Sequence, residues 1–293
     1  MDRIDAMRVF TRVLERRSFT LAAKDLDLPR STVTDAIKKI EHKLGVRLLE
    51  RTTRQVTPTL DGEDFYHRCL SIISDVEDAE STFSGHSPKG LLRVDVHGTL
   101  ARHFLLPALP TFLSRYPDIE LYMSEGDQLV DLVREGIDCV LRVGKPQAED
   151  LVAREITQLN EATLAAPSYL EKFGTPHHPD DIARHKMIGF RTTGSRTPMP
   201  LEFMMDGKII TQKPTTSLMV NSAETLISAA KMGLGIIQAP KYHVEKELAN
   251  GELVELIPNH PPSPSPVCIL YPRNRTHSPR VKVFIEWLES LSF

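Results

Sequence analysis

Between Ser18 and Gly45 the chain reads as two short helices joined by a tight break, and this stretch fixes what its N-terminal end can fold into. The run Thr20 to Leu26 predicts a short helix whose small Ala22 and Ala23 let a neighbouring helix approach closely. Asp27-Leu28-Pro29-Arg30 interrupts it, because the residue before a proline is pushed out of helical geometry. Ser31 is expected to cap a following helix, Thr32 to Leu44, which Gly45 closes where a left-handed residue is wanted. Upstream, Ile4, Met7, Val9, Phe10, Val13 and Leu14 place one apolar stripe on a helix over residues 4–16. Two short helices around a tight turn, the second polar on its outer face, make a helix-turn-helix, whose second helix enters the DNA major groove. Val33, Ile37 and Ile40 fall inward. Arg30, Ser31, Thr32, Thr34, Asp35 and Lys38 fall outward at or near the end that reaches base edges. A solvated charged face accounts equally well for any one basic residue here; the ensemble carries the reading.

The next segment, Arg47 to Pro58, predicts two short strands around a basic turn, a wing that presents Arg51 and Arg54 to phosphate or the minor groove. Charge supports a polyanion partner at this end. The first 60 residues hold 13 Lys plus Arg against 8 Asp plus Glu, whereas the remainder holds 23 against 31.

The stretches Ser18-Phe-Thr-Leu-Ala-Ala-Lys-Asp-Leu26, Ser31-Thr-Val-Thr-Asp-Ala-Ile-Lys-Lys-Ile-Glu41, Leu44-Gly-Val-Arg-Leu-Leu-Glu-Arg51 and Thr57-Pro-Thr-Leu-Asp-Gly62 resemble, in order, the DNA-binding end of LysR-type transcriptional regulators. One position departs from that pattern. The family usually carries Arg or Gln after the second Ser or Thr of the third helix, and this chain has Asp35. A carboxylate accepts a hydrogen bond from a cytosine amino group but repels phosphate, so base preference is expected to differ there.

From Thr59 an N-cap is followed by Asp61, Glu63 and Asp64, acids that favour the positive end of a helix dipole. Phe65, Cys69, Ile72, Val76, Ala79 and Phe83 then recur at 4-3-4-3-4 spacing, a narrow stripe over about five turns. Such a seam faces either a second helix or the chain's own domains. The resemblance implies the former, and so a homodimer or homotetramer that presents two recognition helices to two DNA half-sites. Ser84 to Gly90 ends the helix in turn-forming residues and is read as a hinge.

Beyond Leu91, short apolar runs alternate with helical stretches: 91–96, 104–115, 119–123, 128–134 and 139–143. That alternation predicts an α/β unit with a mainly parallel sheet. A second series over 163–266 repeats the theme, and Pro266 to Tyr271 with a last helix through Trp287 returns to the first half, giving two lobes around a cleft. The segments Leu105 to Pro117, Gly136 to Gly144 and Ala229 to Ile237 resemble the periplasmic-binding-protein-like effector domain of the same family, more loosely. Ligands of such folds sit where helix N-termini and strand ends converge. The junctions at Gly98, Thr99 and Leu100, at Asp127 and Gln128, and at Asn221 and Ser222 qualify, with Arg142 and Arg191 adding positive charge. A small carboxylate is therefore the expected effector; ordinary helix caps and surface ion pairs are the competing account of the same residues.

Other chemistries find little support. Cys69, Cys139 and Cys268 are too widely spaced for a disulfide framework or a zinc pair and read as buried thiols, with a Cys139–Cys268 redox switch as the alternative. His177 and His178 are adjacent in a proline-flanked loop, a poor geometry for one ion. No nucleophile elbow, phosphate loop or His-Glu-x-x-His motif is present, so no catalytic set, metal or cofactor is expected. No run approaches the roughly 18 apolar residues of a membrane helix, and Met1 to Asp5 lacks an export signal, so the expectation is a cytoplasmic protein. Collected, the sequence predicts a winged helix-turn-helix over 1–58, a linker helix and hinge over 59–90, and an α/β two-lobed effector domain over 91–293. Lobe I covers about 91–162 and 267–293, lobe II about 163–266.

Overall fold

A computed structural model describes residues 1–51, 56–84, 87–126, 132–144, 150–192 and 195–293, apart from the side chains of residues 51, 81–84, 133 and 134. Three helices form the N-terminal head: α1 (Arg3–Arg16), α2 (Phe19–Asp25) and α3 (Arg30–Leu44). Reciprocal bonds between Asp2 and Asp5 start α1, and Arg17, left-handed at φ 47°, ends it. Ser18 starts α2 by accepting from the Leu21 amide at 3.3 Å. Asp27 makes the turn in a left-handed conformation, φ 52°, which Asp tolerates better than most residues.

Helix α3 begins two residues earlier than Ser31 would have it. Pro29 is the N-cap and makes no side-chain cap bond, because its fixed φ of −59° already leads the chain into the helix at Arg30. Ser31 thus lies in the first turn with its side chain in solvent. Gly45 closes α3 at φ 72°. Strands β1 (Leu49–Arg51) and β2 (Val56–Pro58) pair antiparallel as the wing. Val9, Phe10, Val13, Ala22, Ala23, Val33, Ala36, Ile37, Leu48, Leu49 and Val56 close one core beneath them.

Helix α4 (Leu60–Ser84) follows, 25 residues and so about 37 Å long. Thr59 caps it, accepting from the Gly62 amide at 3.0 Å while donating to the Arg47 carbonyl at 2.7 Å. Gly62 has no alternative there: a Cβ would overlap the Leu48 carbonyl.

In the C-terminal part, β3 (Gly90–Val96) leads into one continuous helical rod: α5 (Gly98–Leu100), a π-helical turn (Ala101–Leu105) and α6 (Leu106–Arg115). Then come β4 (Ile119–Glu125), α7 (Leu132–Glu135), β5 (Cys139–Val143) and β6 (Leu151–Leu159). The chain crosses over at Asn160 to β7 (Glu161–Ala165), α8 (Pro167–Phe173), β8 (Lys186–Phe190), β9 (Leu201–Met205), β10 (Lys208–Gln212), β11 (Thr215–Val220), α9 (Ala223–Lys231), β12 (Ile237–Pro240), α10 (Glu245–Ala249) and β13 (Val254–Leu256). It returns through β14 (Ser265–Pro272) and α11 (Pro279–Glu289).

Lobe I is built on a five-stranded sheet in the order β4-β3-β5-β14-β6. Its first three strands are parallel, and the returning β14 runs antiparallel to β5 and β6. Lobe II does not repeat that design. Among the described residues it holds three small sheets, of which only β8 with β11 is parallel. Glu161 and Ala162 belong to lobe II, since β7 pairs with β12 and β13.

Sheet geometry also removes the redox alternative. Cys139 packs with Leu141 in the lobe I core, while Cys268 packs with Val140 on the opposite face. Side chains on opposite faces of a pleated sheet point away from each other, which a disulfide cannot span. Burial pushes both thiols above their ordinary pKa, so neither is an activated thiolate.

Candidate DNA-reading face and effector cleft

On the head, Val33 and Ile37 are fully buried and Ile40 half-buried, which turns the opposite face of α3 outward. Arg30, Ser31, Asp35 and Lys38 are exposed there, and Thr32 and Thr34 half-buried. The Thr34 hydroxyl donates to the Arg30 carbonyl at 2.9 Å, a back-bond within its own helix. Glu41 ties the far end of α3 to the wing by accepting from the Leu48 and Leu49 amides at 2.9 and 3.2 Å. Arg51 ends β1, but its side chain and the whole of Arg54 lie outside the described residues.

The α4 stripe divides between roles. Cys69 is fully buried in the head core, and Phe65 packs there too, its ring 5.2 Å from that of Phe10. These two residues serve the chain's own head rather than a free seam, because α1 crosses α4 at that level. Ile72 and Ala79 are exposed and Val76 half-buried. The Phe83 side chain lies outside the described residues.

Another face of α4 carries a feature that sequence pattern did not single out. Arg275 and Arg280, both in lobe I, are only 4% and 2% exposed. Arg275 pairs with Asp75 at 2.7 Å, Asp78 at 3.3 Å and Asp138 at 3.1 Å. Arg280 pairs with Asp78 at 2.8 Å, and donates to Ser74 Oγ at 2.7 Å and to the Leu91 carbonyl at 3.0 Å. Glu77, beside Arg280 at 3.6 Å, also meets Arg8 of α1 at 3.2 Å. Asp75, Glu77 and Asp78 look in the sequence like ordinary solvated helix acids. The signal lay in Asp78 standing three residues after Asp75 and four after Ser74, which puts these three on one face of the helix.

The cleft is a cavity of about 200 Å³ between the lobes, lined by His97, Gly98, Thr99, Arg102, Glu125 and Gly126 of lobe I and Ser222, Ala223 and Glu224 of lobe II. Two helix starts converge on it, that of the α5–α6 rod and that of α9, and Ser222 makes no cap bond to its own helix. Arg102 spans the opening, Nη1 to Glu125 Oε2 at 2.6 Å and Nη2 to Glu224 Oε1 at 3.0 Å. Thr99 Oγ1 lies 2.6 Å from the Tyr242 hydroxyl and 2.8 Å from His97 Nδ1. Burial pushes the Tyr242 phenol up to about 12, so it stays neutral. Burial also lowers the pKa of His243, with His103 and His97 adding to the effect and Glu224, 3.5 Å away, opposing it. Partial burial works to raise the Glu224 carboxyl, yet its hydrogen bonds to Arg102 and His243 hold it below the usual range.

Of the residues expected at this site, Gly98, Thr99 and Ser222 line the cavity. Leu100 is buried in the lobe I core instead, because its side chain turns to the far side of the rod. Arg142 is not in the wall either. It is 13% exposed and locked to the Asp95 carboxylate and carbonyl behind Gly126. Arg191 and Asn221 are exposed and outside the lining. Asp127 and Gln128 lie outside the described residues. The charged lining residues missing from the expected set are Arg102, one helical turn after Gly98 and so on the same face, and the acids Glu125 and Glu224.

Comparison with known proteins settles the family. Residues 4–63 match the bacterial regulatory helix-turn-helix proteins of the lysR family, and residues 85–292 match the LysR substrate binding domain. The chain belongs to the LysR family of DNA-binding transcriptional regulators. The HTH-type transcriptional regulator YhjC of Escherichia coli is 36% identical over 290 residues, 98% of this chain and 97% of the relative. The HTH-type transcriptional activator AaeR of Escherichia coli is 31% identical over 291 residues, 98% of this chain and 93% of AaeR. In three dimensions the structure of CrgA, a LysR-type regulator from Neisseria meningitidis, superposes with a TM-score of 0.59 at 30% identity over 97% of each chain. No described helix is long and apolar enough to cross a membrane.

Proposed function

We propose that this LysR-family regulator is a cytoplasmic homo-oligomer, a dimer or tetramer, that reads two DNA half-sites and is switched by a small organic acid bound between the lobes of its effector domain. Base reading falls to Arg30, Ser31, Thr32, Asp35 and Lys38, with Arg51 and Arg54 of the wing on phosphate or the minor groove. One observation carries the ligand-responsive part: Arg102 and Thr99 of lobe I each bond across the cavity to a lobe II residue, Glu224 and Tyr242. A ligand entering there must exchange with those bonds, so its affinity differs between open and closed lobes, which is the condition for shifting a population.

The test is binding of the purified protein to the DNA immediately upstream of its own gene, at several salt concentrations, beside a scrambled duplex. Tight, salt-sensitive, sequence-selective binding with a footprint of two or more half-sites supports the reading. Equal, weak binding to both duplexes sinks it for that operator. Titration with small organic acids, followed by melting temperature and by DNA affinity, tests the effector half.

A further inference from the structure

We infer that the cleft selects an effector carrying both a carboxylate and a protonated amine, the zwitterion of a small amino acid, rather than a simple organic acid. The inference rests on the reading of this cavity as the effector site and narrows its ligand. Three charged side chains stand at the mouth: Arg102, Glu125 and Glu224, with 43%, 47% and 57% of their surface in solvent. Among the described lining residues Arg102 is the single permanent cation, set against two carboxylates. Arg142 adds nothing, being committed to Asp95, and His243, only 5% exposed, is held toward its neutral form by burial.

Charge counting then discriminates between ligands. A simple carboxylate that captures Arg102 takes the guanidinium from Glu125 and Glu224 and leaves both acids beside a third without that cation, Glu224 keeping its contact with His243. A zwitterion makes an even exchange: its carboxylate takes Arg102 while its ammonium takes the place of the guanidinium between the two glutamates. Geometry agrees at the helix start. The Glu125 carboxylate lies over Gly98, where a Cβ would stand only 2.5 Å from Oε2, so a ligand carboxylate brought to the head of the rod meets that acid directly. Size sets the remaining limit. A cavity of about 200 Å³ is somewhat larger than the roughly 150 Å³ that holds a benzene, which suits a short amino acid.

The experiment titrates the full-length protein, by calorimetry, with the common small amino acids, each beside its deaminated acid and its decarboxylated amine. At least one amino acid is expected to bind about tenfold or more tighter than both of its counterparts, and Glu224→Gln is expected to narrow that preference by favouring the acid. Acids that bind as tightly as their amino forms overturn the inference while leaving the cleft as an effector site. Failure of the whole series to bind overturns the small-acid reading of the cleft and the inference with it. An amino-acid preference left unchanged by both Glu125→Gln and Glu224→Gln also refutes it, since the ammonium would then be recognised elsewhere.

Discussion

Changing Arg280 to methionine tests whether α4 is held to lobe I by charge. The Arg280 guanidinium is 2% exposed and satisfies Asp78, Ser74 and the Leu91 carbonyl at once. Methionine fills much of the volume but donates nothing, so Asp78, itself 8% exposed, loses its 2.8 Å partner and retains Arg275 at 3.3 Å. Removing one partner of a buried pair costs about 3–5 kcal/mol. For a domain of roughly 200 residues that corresponds to a fall in melting temperature of roughly 6–20 °C. Calorimetric melting of the full chain reads it directly, and the double variant Arg280→Met with Asp78→Leu separates the pair from the packing. Coupling of at least about 1 kcal/mol in that cycle is expected. A single-variant loss below about 1 kcal/mol would place the joint among surface ion pairs, which contribute that little, and the argument from burial would be wrong.

Gly62→Ala should destabilise the head by about 1–3 kcal/mol or more, because the added methyl overlaps the Leu48 carbonyl; a variant that melts like the parent refutes the close approach. Asp35→Ala should change sequence preference more than total DNA affinity, and equal weakening on every duplex would show that Asp35 reads no base. Tyr242→Phe removes a 2.6 Å bond to Thr99 across the lobes and should cost about 1 kcal/mol, seen as a lower melting temperature. Acidification gives a signed prediction. Burial holds His243 and His185 below their ordinary value of 6.5, so the unfolded chain binds the extra protons first and stability falls as pH drops below that value. His243→Gln should lose less stability than the parent between neutral pH and pH 5.5, as measured by urea unfolding.

The head was legible because its signals are local. A proline, a left-handed glycine and an apolar stripe each act within a few residues, so α1, α2, α3, the wing and the Thr59 cap stand within two residues of where the pattern puts them. Ser31 misled because the pre-proline rule was read as a full stop, whereas Pro29 itself supplies the N-cap backbone. The cleft was legible only as a neighbourhood. Gly98, Thr99 and Ser222 mark strand-to-helix junctions that the α/β alternation locates, but the choice between Arg102 and Arg142 depends on which arginine meets a buried acid. Asp95 sits 47 residues before Arg142 in the chain, a pairing that no periodicity encodes. The joint between α4 and lobe I hides for the same reason, since Arg280 and Asp78 are 202 residues apart.

These two clusters divide the mechanics of the chain between them. Among the described residues, the effector-domain side chains that bond α4 through polar groups are Asn274, Arg275 and Arg280, all of lobe I, with Asp138 and the Leu91 carbonyl backing the two arginines. Through Glu77 and Arg8 the same joint reaches α1. Lobe II touches lobe I by the partly exposed bridge of Glu224 to Arg102 at the mouth of the cleft, by Tyr242 on the buried Thr99, by the rings of Tyr242 and His243 against His103 and Phe104, and by the crossovers at Asn160 and 257–264. Exposed pairs contribute about 0–1 kcal/mol each, while the buried joint resists by several. On the proposed reading, a ligand that breaks the Arg102–Glu224 bridge displaces lobe II against a lobe I that stays joined to α4 and the head. Loosening the joint with Arg280→Met should accordingly weaken the effect of the ligand on DNA binding more than it weakens ligand binding itself; parallel loss of both would locate the moving boundary inside the α4 joint instead.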